Sequence, residues 1–285
     1  MRVLITGAGG QLGSDLRRLL PEALALDRQQ LSVTDLGAVE AAVRGCEVVV
    51  NCAAYNAVDA AELDPGPALA VNVEGAANVA LACRKAGARL IHFSTNYVFD
   101  GSGDRPFSER DQPRPLGAYA RSKLEGERRV LQILPEALVV RSAGLFGVVG
   151  SAVKGGSFPE RVVRKALAGE RLRVVVDQRL NPTYTADLAA AVVDLLDAGL
   201  SGVVHLVAEG CCSYWELAVE TLRLVGLEAP VEPLTTAELG AAAPRPGNGC
   251  LVSERVPALR PWQAGLAAWW AAWREQDPIT VSRRS

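Results

Sequence analysis

Residues 2–6 (RVLIT) form a short aliphatic run that passes directly into Gly7-Ala8-Gly9-Gly10-Gln11-Leu12-Gly13, and a segment of helical periodicity starts at Gln11. Few features constrain a fold as tightly as a strand that ends in a glycine turn and reopens as a helix. Gly7 permits the tight turn, Gly10 lets backbone approach a bound group, and Gly13 lets the helix pack closely on the strand. The helix then aims its first N–H groups, those of Gln11 and Leu12 among them, and its positive dipole end at the turn, an arrangement that favours phosphate. A second short strand, residues 23–27, ends on Asp27, about 20 positions after Gly7, where a carboxylate can hold ribose hydroxyls. Together these residues predict a dinucleotide site. Asp27 repels a ribose 2′-phosphate and favours NADH, whereas Arg28 can pair with that phosphate and favours NADPH, so both cofactors stay open.

The same alternation continues. Strand-like runs at 47–51 (EVVVN), 89–94 (RLIHFS) and 137–141 (ALVVR) are separated by helical segments at 35–44, 67–86 and 118–133, with Asp35 near the start of its helix. Continuous apolar strands between helices require a parallel sheet covered on both faces. The predicted fold is α/β: a Rossmann-like doubly wound parallel sheet with a smaller C-terminal α/β substrate lobe. Residues 1–144 plus about 178–205 are assigned to the dinucleotide domain, and about 145–177 plus 206–285 to the lobe. Within the second half, 144–156 reads as loop, 157–168, 184–198 and 214–225 as helices, and 173–176 and 203–207 as strands. The stretch 230–249 is too rich in proline and glycine for long elements. Residues 262–274 (WQAGLAAWWAAWR) read as an amphipathic helix whose tryptophans pack the lobe, followed by a frayed end through Arg283, Arg284 and Ser285.

Composition removes several classes of function. Thirty Lys and Arg against 32 Asp and Glu leave a net charge of −2, far from the basic excess of a nucleic-acid binder. No apolar run reaches membrane-spanning length and no signal-peptide pattern opens the chain, so a cytoplasmic protein with no membrane partner is expected. Two histidines leave little material for a histidine metal site or a Ser-His-Asp triad, and no metal ligand set is assigned. The six cysteines form no C-x-x-C pair and are expected as buried free thiols, with the side chains of Cys211 and Cys212 pointing apart.

The chemistry is expected at Tyr119-Ala120-Arg121-Ser122-Lys123. At i and i+4 on a helix, Tyr119 and Lys123 share a face. A nearby ammonium stabilises a phenolate, and lowering a tyrosine pKa by about three units corresponds to roughly 4 kcal/mol. Such a tyrosine exchanges a proton with a carbonyl or hydroxyl during hydride transfer. Thr95 closes the strand before this helix, at the edge where open α/β sheets bind ligands, and can bond the Tyr119 hydroxyl or a substrate oxygen.

At this point the sequence resembles the extended short-chain dehydrogenase/reductase superfamily and, within it, the dTDP-4-dehydrorhamnose reductases. The resemblance is carried by GAGGQLG (7–13), ALDRQQLSVTD (25–35), NCAAYNAVDAAE (51–62), STNYVFDG (94–101), YARSKLEGE (119–127), VDQRLNPTYTADLA (176–189) and APRPGN (243–248), in order along nearly the whole chain. It implies reduction of the 4-keto group of dTDP-6-deoxy-L-lyxo-4-hexulose to dTDP-L-rhamnose, a step of cell-surface polysaccharide biosynthesis. Tyr119 is then the proton donor, Lys123 holds the nicotinamide ribose and tunes Tyr119, and Thr95 assists. Ala53, Ala54 and Asn56 line the cofactor, Asn96 contacts substrate, and Arg245 and Asn248 face the nucleotide-sugar end, where a guanidinium suits a diphosphate. The implied partner is a dTDP-linked 4-keto-6-deoxy sugar. Relatives sometimes use Mg²⁺ at a subunit contact, and a homodimer is one arrangement left open. Alternatives are another nucleotide-sugar ketoreductase or epimerase, or a non-catalytic cofactor-binding regulatory subunit. Three positions depart from the family pattern: Asn96 stands for an Asp, Ala120 for a Gly and Gly144 for a Trp. On this basis Asn96→Asp is expected to preserve or improve rhamnose formation.

Overall fold

A computed structural model of the chain describes residues 1–151 and 155–276. Six strands, β1 (Val3–Thr6), β2 (Leu24–Leu26), β3 (Val48–Asn51), β4 (Arg89–Thr95), β5 (Leu138–Ser142) and β6 (Gly202–His205), form one sheet in the order β6-β5-β4-β3-β1-β2. Every pairing in it is parallel. Alternate residues of each strand enter opposite cores. Leu4, Val49, Leu90 and Val139 face one side. Val3, Ile5, Val48, Val50, Ile91, Leu138 and Val140 face the other. This period of two is why the strands read as continuous apolar runs.

Helices cover both faces. The first core takes α2 (Leu36–Val43), α5 (Ala76–Ala86) and α6 (Ala118–Ile133), with Val39, Val43, Val79, Ala80 and Val130 buried. Asp35 caps α2 by accepting from the Ala38 N–H at 3.0 Å. The second core takes α1 (Gln11–Leu19) and α8 (Thr185–Leu195), where Leu12 and Leu16 meet Leu188 and Val192. Between β1 and β3 the chain order reverses, which opens a crevice at the carboxyl ends of the strands.

The expected single helix over 67–86 is interrupted. The chain forms α3 (Val58–Leu63) and α4 (Gly66–Leu69), then a π turn at Ala70–Gly75, then α5. The π turn carries Asn72, whose buried side chain clamps the Tyr55 N–H and C=O and bonds Ser122 Oγ on α6. Periodicity read over an alanine-rich run does not reveal such a turn, because one inserted residue barely disturbs the apolar pattern.

The remainder of the second half meets the carboxyl end of β4 through the Asn96–Gly249 bond. It contains α7 (Phe158–Leu167), α9 (Tyr214–Val225), the short α10 (Thr236–Leu239) and α11 (Trp262–Gln276). The strand Leu172–Val175 pairs with Val231–Leu234, and Arg179–Leu180 lies between Cys212–Ser213 and Asn248–Gly249. Short strands therefore occur inside the proline-rich stretch. Trp262, Trp269 and Trp273 are buried in a third core with Phe146 and Tyr184. The loop expected over 144–156 holds a two-residue strand, Leu145–Phe146, and its residues 152–154, like the chain end with Arg283, Arg284 and Ser285, lie outside the described residues.

The cysteine reading needs correction. Cys211 and Cys250, with Cα atoms 6.0 Å apart, form a disulfide. The two positions are remote in sequence and converge only because Cys212–Ser213 and Asn248–Gly249 flank the same strand. Cys212 is buried in the third core with Trp262 and Trp269 and is free, as are Cys46, Cys52 and Cys83. No described helix is long and apolar enough to cross a membrane.

Candidate active site

The glycine turn sits at the crevice. Gly7 has φ +67°, and a methyl group there would lie 2.7 Å from the Ala53 nitrogen at the end of β3. A methyl on Gly13 would run into the Gly7 carbonyl oxygen. Two backbones meet here at a distance that excludes side chains. Gly10 donates to the Gly7 carbonyl at 3.0 Å and caps α1 without any side-chain acceptor. The Gln11 Oε1 oxygen is buried without a partner. Leu12 is buried in the core, so only its backbone can serve a ligand. An uncapped helix start, a side-chain-free cradle and an orphaned amide oxygen fit the pyrophosphate and ribose of a dinucleotide.

Asp27 lies against this cradle, with its Cβ 3.3 Å from where a methyl on Gly9 would stand. Its Oδ1 accepts from the Gln29 and Gln30 N–H groups at 2.8 and 3.0 Å, which fixes the carboxylate at the end of β2. Arg28 is exposed beside it. Beyond β3, Ala53 and Asn56 are partly buried and Ala54 is exposed. The Ala53 N–H donates to Asn51 Oδ1 at 3.2 Å, and Asn51 also accepts from the Thr6 hydroxyl and donates to His92 Nδ1. That network locks the strand ends around the crevice. Burial, then the Lys123 charge, keeps His92 neutral by holding its pKa well below the usual range.

Thr95, Tyr119 and Lys123 converge at the end of β4. The Thr95 hydroxyl accepts from the Tyr97 N–H at 3.2 Å and interacts with the Tyr119 hydroxyl. Lys123 is buried at 2% exposure and donates from Nζ to the Phe93 carbonyl at 2.7 Å. Burial lowers its pKa to about 8, against the opposing pull of Glu127 and Cys52. Tyr119 departs from expectation. Burial, reinforced by Tyr97, pushes its pKa above the ordinary value, and the bond with Thr95 only partly offsets this. Tyr119 and Lys123 lie four positions apart on α6, but desolvation is a property of packing, and it sets the direction of the Tyr119 shift.

Asn96 is buried. Its Oδ1 accepts from the Thr95 hydroxyl at 3.3 Å, and its Nδ2 donates to the Gly249 carbonyl at 2.9 Å. An aspartate could not donate the second bond, which counts against the expectation that Asn96→Asp preserves or improves rhamnose formation. Asn248 is equally committed, donating to the Gly103 and Arg105 carbonyls and accepting from the Cys250 N–H. It holds loops together. Arg245 forks onto Asp59 of α3 at 3.0 and 2.7 Å, and this pairing raises its pKa. Its charge is already matched, although it stays near the site through Tyr97.

Several functional candidates escaped sequence reasoning. Tyr97 meets Tyr119 edge to face, with centroids 5.8 Å apart. Tyr214, at the start of α9, joins Asn96, Tyr97, Gly144, Gln178 and Arg179 around a small pocket. Tyr97 carried a signal, its place directly after the Thr95-Asn96 strand end. Tyr214 carried only its position after the helix cap Ser213. At Gly144 the backbone has φ +57°, and a methyl there would lie 2.5 Å from Leu180 Cδ1 and 2.7 Å from the Asn181 oxygen. Among the described residues no group of three or more His, Cys, Asp and Glu side chains is placed to hold a metal ion, and nothing in the site supports Mg²⁺.

Comparisons with known proteins agree with this geometry. The sequence model of the RmlD substrate binding domain family matches residues 1–274. A dTDP-4-dehydrorhamnose reductase of Mycobacterium tuberculosis is 42% identical over 301 aligned positions, covering 99% of this chain and 96% of the relative. A dTDP-4-keto-6-deoxy-D-glucose reductase of Streptomyces niveus is 39% identical, covering 93% and 95%. The crystal structure of a dTDP-4-dehydrorhamnose reductase from Bacillus anthracis in complex with NADP superposes with a TM-score of 0.90 at 33% identity, covering 95% of this chain and 99% of that one.

Proposed function

Because the chain belongs to the RmlD substrate binding domain family, we propose that it is an NAD(P)H-dependent dTDP-4-dehydrorhamnose reductase, which reduces the 4-keto group of dTDP-6-deoxy-L-lyxo-4-hexulose to give dTDP-L-rhamnose. The observation that carries this reading is the convergence of Thr95, Tyr119 and Lys123 at the strand edge beside the glycine cradle.

The cradle of Gly7, Gly10 and Gly13 would hold the pyrophosphate of the dinucleotide, with Asp27 and Arg28 at its adenosine end and Ala53, Ala54 and Asn56 along its length. When bound, the reduced nicotinamide supplies the hydride. Thr95 orients the substrate carbonyl oxygen, and Tyr119 gives that oxygen its proton. A raised pKa suits this direction of reaction, because Tyr119 stays protonated until a strongly basic alkoxide develops beside it. Lys123 holds positive charge below pH of about 8 and stabilises the phenolate that remains. Its anchor at Phe93 fixes the ammonium at the base of the site. The buried Glu127–Arg141 pair, bonded at 2.9 and 2.6 Å, braces α6 against β5 and so supports the helix that carries both residues.

The test is oxidation of NADPH and of NADH with dTDP-6-deoxy-L-lyxo-4-hexulose, followed by nicotinamide absorbance, with the product identified by mass spectrometry and NMR. Turnover to dTDP-L-rhamnose supports the reading and ranks the cofactors. Tight cofactor binding without turnover on any dTDP-4-keto-6-deoxy sugar would instead mark a regulatory subunit. A cytoplasmic location and a homodimer belong to the same reading, and fractionation and light scattering test them.

A further inference from the structure

We propose that Tyr214 selects and holds the sugar ring, forming with Tyr97 a two-hydroxyl aromatic wall next to the reacting centre. This inference rests on the reductase reading and extends it to a residue outside the Thr95–Tyr119–Lys123 set.

The pocket beside Asn96 draws on segments remote in sequence: the end of β4, the end of β5, residues 178–180 and the start of α9. Tyr97 belongs to its lining and also packs edge to face on Tyr119, so the pocket adjoins the proton donor. The β5 side offers only backbone. Gly144 has positive φ, and Leu180 and Asn181 fill the space that any side chain would need. The aromatic surface of this pocket is therefore supplied by Tyr97 and Tyr214. Sugar rings are recognised by apolar contact on their C–H faces and by hydrogen bonds to their hydroxyls, and tyrosine supplies both.

Tyr214 is held for such a role. Ser213 and Glu216 form a reciprocal capping box that fixes the first turn of α9. Its ring packs on Phe158 with centroids 5.0 Å apart. Its hydroxyl interacts with that of Tyr97, and the Arg245 and Arg161 charges lie within electrostatic reach. Burial keeps both phenols neutral, which suits uncharged sugar hydroxyls.

Tyr214→Phe and Tyr214→Trp, with thermal unfolding to confirm folding, test the proposal in two assays. In steady state, Tyr214→Phe raises the KM for the dTDP-4-keto sugar about tenfold, leaves kcat within about twofold and leaves the Kd for NADPH unchanged. In calorimetry, wild type binds dTDP-L-rhamnose more tightly than dTDP, and Tyr214→Phe loses most of that sugar-dependent increment. Tyr214→Trp keeps the aromatic surface and changes the ranking among epimeric dTDP-6-deoxy sugars. An unchanged KM and an unchanged increment in both variants would overturn the role of Tyr214 while leaving the reductase reading intact. A wild type that neither turns over nor binds any dTDP-sugar above dTDP would overturn both.

Discussion

The Asn96 side-chain amide donates to the Gly249 carbonyl at 2.9 Å, joining the end of β4 to a segment 153 positions further along the chain. The bond pins the Asn248–Gly249 strand onto the edge that carries Thr95. It depends on a donor, which aspartate lacks.

Asn96→Asp would set a carboxylate oxygen against a carbonyl oxygen in a buried position. The expected cost is about 1–3 kcal/mol of stability, with a raised KM for the sugar nucleotide. Chemical denaturation and steady-state kinetics check this, and a variant as stable and active as wild type would dismiss the bond's importance.

Removal of one hydroxyl tests the proton donor. Tyr119→Phe keeps the ring and its contact with Tyr97 but cannot protonate the substrate oxygen. Cofactor affinity stays near wild type while kcat falls about 10²–10⁴-fold. Fluorescence titration with NADPH and single-turnover kinetics separate the two effects.

Lys123 makes stability depend on alkaline pH. Its pKa is about 8 in the folded protein and 10.5 in the reference state, so the unfolded chain binds the extra proton between those values. Stability from this group therefore rises with pH across that window, and the buried charge costs roughly 3 kcal/mol below it. Lys123→Met removes the group, abolishes turnover and is at least as stable as wild type at neutral pH. Its advantage narrows as pH approaches 10.5. Paired urea titrations of wild type and variant at several pH values measure the difference, and a constant gap would contradict the assignment.

Gly144→Ala places a methyl where φ is +57° and where Leu180 Cδ1 lies 2.5 Å away. Backbone strain alone is worth about 1–3 kcal/mol. Thermal unfolding should register the loss, together with a weaker interaction with the sugar nucleotide.

The Cys211–Cys250 disulfide closes a loop of 39 positions. In the chain-entropy description such a cross-link contributes about 4 kcal/mol. Wild type should melt at a lower temperature after treatment with a thiol reductant, and Cys250→Ser should melt at one temperature with or without it. Thiol labelling followed by mass spectrometry reports whether both sulfurs are blocked before reduction.

Local chemistry made the dinucleotide half legible. The glycine turn, the strand and helix around it, Asp27 at the next strand end and the Tyr119–Lys123 spacing are short-range patterns. Backbone sterics and the periods of strand and helix write them directly into sequence. The same reasoning placed Asp35 near the start of α2, where it caps the helix, and found the tryptophan face of α11. What only the tertiary structure decided is long-range. Arg245 meets Asp59 across 186 positions, Asn96 meets Gly249, Cys211 meets Cys250, and Tyr214 reaches a pocket floored by Gly144. No local rule encodes those pairings, because each depends on where separate elements dock. The raised pKa of Tyr119 belongs with them, since desolvation is set by everything that packs around the phenol and not by its neighbours in the chain.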